Sequence, residues 1–248
     1  MMFKVDLGIS KFLKSGFDLK DHLSKFLKIS LSEIESKLPN GVTELAALHP
    51  GSLDPEKAEQ FYEITVGDAH LIDLAAWHLG SADYIADTLR LQEMFAKGKV
   101  LDFGGGIGTH ALAAASLSEV EHVYFVDLNP QNREFVSARA KFLGLENSIS
   151  VYRDLESVGD TKFDTLICLD VLEHLPDPSK QICSFIKKLN KNSISLLNWY
   201  FYKGEKGEYP FHFDDPKLVN EFFITIQSKY IEVFHPYLIT ARAYKLMQ

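Results

Sequence analysis

The spacing of hydrophobic positions changes near residue 97 and divides the chain into two predicted regions. Before that point, apolar residues such as Phe12 and Leu19 recur at helical spacing among lysines. Beyond it, short runs rich in β-branched and aromatic residues alternate with helical stretches, which is typical of a parallel sheet covered by helices on both faces. We therefore expect a helical N-terminal cap over residues 1–97 and a doubly wound α/β domain over residues 98–248.

Local signals set the bounds of the predicted elements. Ser30 and Glu33 form a capping box, and a proline-glycine break follows at residues 39–41. The helices predicted next are Asp54–Val66, Asp68–Leu79 and Ser81–Ala96. The predicted strands are Val100–Phe103, His122–Val126, Ile149–Tyr152, Phe163–Leu169 and Ser193–Tyr200, with a closing hairpin of Tyr230–His235 and Leu238–Leu246. The helices between them are Thr109–Ser118, Pro130–Leu143, Ser179–Leu189 and Pro216–Lys229.

The first strand leads into the stretch VLDFGGGIGTH, which combines an acid with a glycine cluster. Asp102 ends the apolar run, and the glycines are Gly104, Gly105, Gly106 and Gly108. Glycines between a strand and a helix let a ligand lie against the backbone, because no side chain stands in the way. A dinucleotide-binding turn of the form G-x-G-x-x-G would need a glycine where Thr109 stands, so the spacing argues against a pyrophosphate site.

The next three strands are each followed by an acid as well. Asp127 follows the second strand, Asp154 the third and Asp170 the fourth. In a doubly wound sheet, ligands bind at the carboxyl ends of the strands, and an acid after the second strand can accept both hydroxyls of a ribose. Each acid alone also fits a turn or a helix cap. Four acids at four successive strand ends indicate a shared binding site.

Composition narrows the class of partner. The 248 residues carry a formal net charge of -8, and an acidic surface repels phosphate backbones, so we expect no nucleic-acid partner. No window approaches the roughly 20 apolar residues of a membrane span, so we expect no membrane insertion. The two cysteines, Cys168 and Cys183, lack metal-binding spacing and favour a reducing, cytoplasmic setting. We expect a monomer or a homodimer.

Three motifs, VLDFGGGIG, VYFVDLNP and FDTLICLDVLEHLPDP, together resemble those of the class I S-adenosylmethionine (SAM)-dependent methyltransferases. The last motif is similar to the fourth-strand motif of ubiquinone-pathway O-methyltransferases and other small-molecule members. The resemblance runs from about Lys99 to the C-terminus. It implies a seven-stranded Rossmann-like sheet, SAM as the cofactor, and transfer of a methyl group to an oxygen or nitrogen atom of a small molecule.

The resemblance also implies a role for each matching residue. Asp102 and the glycine turn would hold the methionine part of SAM, Asp127 the ribose, and Asp154 the adenine. Leu169 and Asp170 would border the sulfonium and the substrate entrance. The full set of expected cofactor-binding residues is Asp102, Gly104, Gly105, Gly106, Gly108, Asp127, Leu128, Asp154, Leu155 and Leu169.

The expected catalytic residues are Asp170, His174 and His212. Either histidine could act as a base or orient the acceptor, and His174 could instead make a structural hydrogen bond. We expect no metal. The alternative is that Asp170, Glu173, His174 and His212 bind a divalent cation, since they resemble the acid-x-x-Glu-His site of some small-RNA and ubiquinone-pathway methyltransferases.

Two regions are expected to shape the acceptor pocket. One is the aromatic segment Trp199–Phe211, and the other is the cap, through Tyr62, His70, Trp77, His78 or Tyr84. Two further hypotheses stay open beside the methyltransferase: a SAM-binding regulatory subunit without turnover, and a nicotinamide-dependent oxidoreductase. A pocket plugged by the N-terminal helices would favour the regulatory subunit.

Overall fold

The structure is a computed structural model that describes residues 7–41, 48, 60–207 and 209–247. The strands are β1 (Gly98–Phe103), β2 (Val120–Val126), β3 (Ile149–Tyr152), β4 (Phe163–Cys168), β5 (Leu189–Leu197), β6 (Tyr230–Phe234) and β7 (Arg242–Leu246). The α-helices are α1 (Ile9–Ser15), α2 (Leu19–Leu27), α3 (Leu31–Lys37), α4 (Ala69–Gly80), α5 (Ala82–Phe95), α6 (Thr109–Ser116), α7 (Pro130–Phe142), α8 (Pro178–Lys188) and α9 (Pro216–Lys229). Short helical turns occur at Leu38–Asn40, Phe61–Thr65 and Leu172–His174.

The strands form one seven-stranded sheet in the order β3-β2-β1-β4-β5-β7-β6. The first five strands pair in parallel, and β7 pairs antiparallel with both β5 and β6. This order confirms the predicted seven-stranded Rossmann-like sheet and the closing hairpin. The order reverses between β1 and β4, so the carboxyl ends of these two strands open the crevice in which doubly wound sheets bind ligands.

Alternating residues of the strands supply two hydrophobic clusters, one for each face. In β1, Val100 joins the cluster that contains α5 and α6 residues, whereas Leu101 joins the cluster that contains α8 and α9 residues. The first cluster also takes in Phe12 of α1 and Leu89 of α5, so the cap packs directly on the sheet. The division at residue 97 stays a prediction.

Most predicted elements lie within a few residues of the observed ones. The main strand error is β5, which begins at Leu189 rather than Ser193, because exposed Lys191 and Asn192 in its first half resemble a turn. Ser30 caps α3 by accepting a hydrogen bond from the Glu33 amide at 3.2 Å, as the capping box predicts. Most of the helix predicted for Asp54–Val66 falls outside the described residues. None of the helices in the described ranges combines the length and hydrophobicity that a membrane span requires.

Candidate functional site

The glycine turn lies at the carboxyl end of β1, where protein side chains cover it. Gly104 and Gly106 have φ values of 70° and 55°, in the left-handed region that favours glycine. A Cβ atom at Gly104 would meet Val171 at 2.5 Å, and one at Gly106 would meet Leu74 of α4 at 2.8 Å. The glycines therefore allow the cap and the β4 end to pack closely on the turn. Whether a ligand also lies against this backbone stays a prediction.

Asp102 is buried beneath this turn with an oxygen atom that has no partner. Its side chain is 2% exposed, and Oδ2 finds no hydrogen-bond partner among the described residues. Burial, with a further contribution from the nearby Asp127 carboxylate, raises the pKa of Asp102 to about 7. A buried acceptor of this kind suits a cationic group such as the ammonium of the methionine part of SAM.

Asp127 follows β2 and is held by three donors. Its Oδ2 accepts from the Gly106 amide at 2.9 Å, while Oδ1 accepts from the Asn129 amide at 2.8 Å and from Asn132 Nδ2 at 3.2 Å. Burial raises the pKa of Asp127 to about 6 although these hydrogen bonds oppose the shift. The carboxylate therefore links the glycine turn to the start of α7, in the place expected for the ribose acid.

His70 brings the cap to the same place. Asn129 Nδ2 and Asn132 Nδ2 both lie 3.3 Å from His70 Nδ1. Each amide is oriented independently, because Asn129 Oδ1 accepts from the Gln131 amide and Asn132 Nδ2 also donates to Asp127. His70 Nδ1 must therefore be the acceptor, and the proton of the neutral ring resides on Nε2.

The residues expected at the adenine lie in a turn after β3. Asp154 Oδ1 accepts from the Ser157 amide at 2.8 Å, and Oδ2 accepts from Arg153 Nη1 at 2.9 Å. These local bonds lower the pKa of Asp154. Leu155 and Leu128 are half-buried. These hydrogen bonds within the turn account for the position of Asp154 without a ligand, so its contact with adenine stays a prediction.

The turn Phe61–Thr65 crosses the crevice from the adenine side to the β4 end. At one end, Glu63 accepts two hydrogen bonds from Arg153, from Nε at 2.6 Å and from Nη2 at 2.9 Å. At the other, Tyr62 Oη lies 3.0 Å from His174 Nδ1, and Phe61 stacks on Phe211. This segment therefore links the turn after β3 to the segment after β4. That it covers the cofactor, and that Tyr62 reaches the cofactor site, stays a prediction.

Glu173, His174 and His212 converge beyond the end of β4. One potential ligand atom from each lies within 4.8 Å of the others. Glu173 is 1% exposed, and its Oε2 has no partner within the described residues. Burial and the neighbouring Asp170 raise the pKa of Glu173 to about 8. Burial lowers the pKa of both histidines, to about 3 for His174. Neutral imidazoles beside an unpartnered carboxyl oxygen form a set of metal-ligand type.

A hydrogen bond to a carbonyl group fixes the tautomer of His212. His212 Nδ1 lies 3.0 Å from the Tyr202 carbonyl oxygen, which can only accept, so Nδ1 donates and Nε2 keeps its lone pair. His174 Nδ1 lies 3.3 Å from the Phe211 carbonyl oxygen and 3.0 Å from Tyr62 Oη, and because the hydroxyl can donate or accept, either tautomer of His174 satisfies these neighbours. A second nitrogen held by a backbone carbonyl is the arrangement found in metal-ligating histidines.

Asp170 is not one of the three residues whose ligand atoms converge, although the resemblance links it to them. It is half-buried at the end of β4, where Asn198 hydrogen-bonds both its amide and its carboxylate. Burial raises the pKa of Asp170 to about 6. Leu169 beside it is half-buried and packs against the hydrophobic cluster of the α5 face. The structure therefore brings together Glu173, His174 and His212, while Asp170 is close enough to act on Glu173 through its charge but is bonded to Asn198 instead.

Exposed tyrosines surround His212 on the solvent side. Tyr209 stacks on the His212 ring with centroids 5.1 Å apart, and Tyr200 meets the same ring edge-on at 6.0 Å. Tyr200, Tyr202 and Tyr209 are 45%, 43% and 46% exposed. Three half-exposed aromatic rings beside a buried polar cluster form a surface on which a flat ligand can stack.

Comparison with known proteins identifies the family. A family described as a methyltransferase domain matches residues 76–205. The chain belongs to this family. Ubiquinone biosynthesis O-methyltransferase from Xanthomonas oryzae pv. oryzae is 35% identical over 125 residues, which cover 47% of this chain and 48% of that protein. The namesake from Psychrobacter arcticus is 30% identical over 120 residues, or 46% of this chain and 45% of that protein. The chain thus spans about half the length of the curated relatives it matches.

Solved structures agree on the fold of this methyltransferase domain. A putative rRNA-methylase from Clostridium thermocellum superposes with a TM-score of 0.50 at 16% identity, over 66% of this chain and 97% of that one. A putative caffeoyl-CoA O-methyltransferase from Staphylococcus aureus gives 0.50 at 15% identity, over 64% and 80%. At such low identity these likenesses show the fold alone. Membership of the class I methyltransferases makes SAM the cofactor and leaves the nicotinamide hypothesis without support.

Sequence reasoning missed several polar residues of this edge. Asn198 follows β5 and reaches Asp170, while Asn129 and Asn132 hold Asp127 and His70. The Asn-Pro pair before α7 marked a helix start, and it could also have indicated an amide beside the ribose acid. Of the cap candidates, Trp77 packs on Tyr84, and His78 Nδ1 lies 3.0 Å from Thr109 Oγ1. The His78 contact explains why a threonine stands where a dinucleotide-binding turn has glycine.

Proposed function

We propose that the chain transfers the methyl group of SAM to a small-molecule acceptor, and that the acceptor atom is the oxygen of an aromatic hydroxyl. The observation that carries this proposal is the convergence of Glu173, His174 and His212 beside a surface of exposed tyrosines. The relatives are named O-methyltransferases, which favours oxygen over nitrogen.

The residues at the carboxyl edge of the sheet fit the cofactor. Asp102 offers a buried, unpartnered oxygen for the ammonium group. Asp127 accepts one hydrogen bond at Oδ2 and two at Oδ1, which leaves one lone pair on Oδ2 for a ribose hydroxyl. When bound, SAM supplies a methyl group on a good leaving group, so orientation is a major part of the catalysis. The chain contributes by excluding water, through Leu74 and Val171 at the glycine turn and Tyr62 above the crevice.

We further propose that Glu173, His174 and His212 hold a divalent cation, which is the alternative that the sequence left open. The orphan Oε2 of Glu173, the free Nε2 lone pair of His212 and the proximity of His174 support a cation over a purely structural cluster. One carboxylate with two imidazoles suits Zn²⁺, Mn²⁺ or Fe²⁺ better than Ca²⁺. A bound cation supplies Lewis acidity at the acceptor oxygen. Without one, His212 Nε2 is the base that takes the hydroxyl proton.

The acceptor is proposed to stack on the tyrosines around His212. Tyr200 and Tyr209 present half-exposed rings that contact that histidine and each other. An aromatic ring with two adjacent hydroxyls would place its oxygens toward the polar cluster and its face on a tyrosine. A nucleic acid is a poor partner for a chain with a net charge of -8.

The experiment incubates the full chain with SAM and three probes: catechol, phenol and aniline. Formation of S-adenosylhomocysteine (SAH) and of methylated product is followed by mass spectrometry, with EDTA and with added Mn²⁺, Zn²⁺ or Mg²⁺. We expect methylation of catechol, a loss of at least about tenfold with EDTA, and recovery with one of the cations. Glu173→Gln should lower the rate by a comparable factor.

A matched control is His235→Asn, because His235 is a half-exposed histidine that pairs with Glu232 rather than with the cluster. It should leave the rate unchanged. Binding of SAM without methyl transfer to any of the three probes would favour the hypothesis of a regulatory subunit over that of a methyltransferase. Methyl transfer that is unaffected by EDTA and by Glu173→Gln would contradict the proposed cation site. His212 would then remain the proposed base.

We also propose a cytoplasmic location and a monomeric or homodimeric state. Both cysteines are free thiols, with Cys168 buried and Cys183 exposed, which supports a reducing compartment. Size-exclusion chromatography with light scattering would distinguish a monomer or dimer from a larger assembly.

A further inference from the structure

Asp170 has an unusual backbone conformation at the carboxyl end of β4. Its φ of 54° lies in the left-handed region, which residues other than glycine adopt at a cost in energy. Phe17, Asp18 and Lys28 share this feature, but they lie in the cap, away from the strand ends. A strained residue at the rim of a ligand crevice indicates a function that requires its particular direction.

Asn198 holds this conformation from the neighbouring strand. Asn198 follows β5, whose last residue, Leu197, pairs with Cys168 of β4. Asn198 is buried and only 1% exposed. Asn198 Oδ1 accepts from the Asp170 amide at 2.5 Å, and Nδ2 donates to Asp170 Oδ1 at 2.7 Å. One contact fixes the peptide and the other fixes the carboxylate, so the side chain of Asp170 has a defined direction.

The cap completes the network around Asn198. Its Nδ2 also donates to Tyr84 Oη at 2.8 Å, and Tyr84 Oη in turn lies 3.2 Å from Thr240 Oγ1. Both amide hydrogens of Asn198 are therefore used, which leaves no freedom for the amide to rotate. Asp170 is thus held by Asn198, which follows β5, and Asn198 is held in turn by Tyr84 of α5, which contacts Thr240 in the loop before β7.

Asp170 follows a strand that neighbours the glycine turn, and the residue after it packs on that turn. Strands β1 and β4 are neighbours, with Asp102 opposite Ile167, and Val171 after Asp170 packs on Gly104. The family resemblance puts Asp170 beside the sulfonium of SAM. A carboxylate attracts this cation and has no such attraction for the neutral thioether of SAH, because the two cofactors differ by one methyl group and one positive charge.

We propose that Asn198 is a positioning residue that directs the Asp170 carboxylate toward the sulfonium, so that the site discriminates the charged donor from its neutral product. This proposal rests on the proposed function, because it takes SAM to be the donor. It adds that Asn198 acts through Asp170, and that Tyr84 supports Asn198 from the cap.

The test measures the Kd of SAM and of SAH for the full chain by isothermal titration calorimetry. The readout is the ratio of the SAM Kd to the SAH Kd, which a purely structural role would leave unchanged. Asp170→Asn should raise the ratio about tenfold, since it removes the charge. Asn198→Ala should raise it severalfold, and Tyr84→Phe should raise it less.

Asn190→Ala is the matched control. Asn190 belongs to the same strand and donates to Asp164 Oδ1 at 2.7 Å, at the opposite end of the β4–β5 pair. Loss of this Asn–Asp bond should leave the ratio unchanged.

A second variant keeps the test valid if Asn198→Ala fails to fold. The double variant Asp170→Asn with Asn198→Asp reverses donor and acceptor, so the hydrogen bond between the two positions is kept while the carboxylate moves to position 198. Its ratio should stay as high as that of Asp170→Asn. A ratio equal to that of the wild type would show that the position of the charge is irrelevant and would overturn the proposal.

Other outcomes separate this proposal from the proposed function. An unchanged ratio in Asp170→Asn, or in folded Asn198→Ala, would overturn the positioning role even if the enzyme methylates catechol. The expected ratios in a chain that methylates no acceptor would support the positioning role and contradict the proposed function alone. A wild type that binds neither SAM nor SAH would overturn both.

Discussion

Two fully buried charged residues, Arg139 in α7 and Asp102 at the glycine turn, are treated in opposite ways by the fold. Arg139 is 0% exposed, and its guanidinium donates to the carbonyl oxygens of Ile107 at 2.8 Å and Gly16 at 2.9 Å, with Phe17 at 3.3 Å. Asp102 is 2% exposed and keeps an oxygen without a partner in the described ranges. The comparison distinguishes a buried charge that serves the structure from one that awaits a ligand.

The surroundings of the two charges explain the difference. Gly16, Phe17 and Asp18 all have a φ near 60°, a left-handed run at which the carbonyl groups of Gly16 and Phe17 bond Arg139. Burial lowers the pKa of Arg139 to about 9, so the group stays charged at neutral pH. The left-handed run is therefore held by the hydrogen bonds from Arg139, a residue of the protein itself. At Asp102, by contrast, the cost of burial is not offset by a counter-charge among its described neighbours.

The largest expected effect comes from removing the structural charge. Arg139→Met should lower the free energy of unfolding by about 3 kcal/mol, because buried carbonyl groups lose their donors. For a chain of this size that corresponds to a fall in Tm of about 6–12 °C. Differential scanning calorimetry measures it. Arg90→Met is the control, since the Arg90 side chain is 59% exposed and pairs with Asp87, one turn away on α5.

Arg90→Met should change the free energy of unfolding by less than about 0.5 kcal/mol. Any folded Arg139→Met should still bind SAH, because Arg139 contacts the cap and the Ile107 carbonyl rather than the strand-end acids. Loss of SAH binding together with an unchanged Tm would contradict the distinction between the two charges.

The next effect separates stability from binding at Asp102. Asp102→Asn should weaken SAH binding by about 10- to 100-fold, since the ammonium group loses a charged acceptor. The same change should leave the Tm of the free protein at pH 8 equal or higher, because an unpartnered buried carboxylate disfavours folding. Calorimetric titration and thermal unfolding measure the two quantities on one sample.

Asp164→Asn is the matched control for this aspartate. Asp164 lies at the amino end of β4, where it accepts from the Lys99 amide at 3.0 Å and from Asn190. Loss of the Asp164 carboxylate should lower the Tm and leave the affinity for SAH unchanged. A variant of Asp102 that lost stability while keeping its affinity would place Asp102 with Arg139, among the structural charges.

The sequence predicts the sheet and its acids well because these depend on local signals. The spacing of apolar residues along a strand, a glycine turn and an acid at a strand end can each be recognised within a stretch of about ten residues. The polar network is different, since Tyr62 meets His174 across 112 positions, Asn198 meets Tyr84 across 114, and Arg139 meets Gly16 across 123. No local pattern encodes such pairs, because each depends on how the cap docks on the sheet.

The weakest expected effect is the pH dependence of SAH binding, and its sign follows from the raised pKa of Asp102. In the free protein that pKa is about 7, above the unfolded value near 3.8, so the folded chain holds the extra proton between these limits. This contribution to the free energy of unfolding therefore decreases as the pH rises from about 4 to 7.

An ammonium ligand favours the carboxylate, so binding should release a proton. SAH affinity should then fall as the pH is lowered from 8 to 6, by at most about tenfold per pH unit. Titrations in two buffers of different ionisation enthalpy measure the released proton. Asp127, whose pKa is about 6, titrates around the lower end of this window, and Glu173, whose pKa is about 8, titrates around its upper end. Asp102→Asn should abolish most of the pH dependence, and a dependence that survives this substitution would assign it to another group.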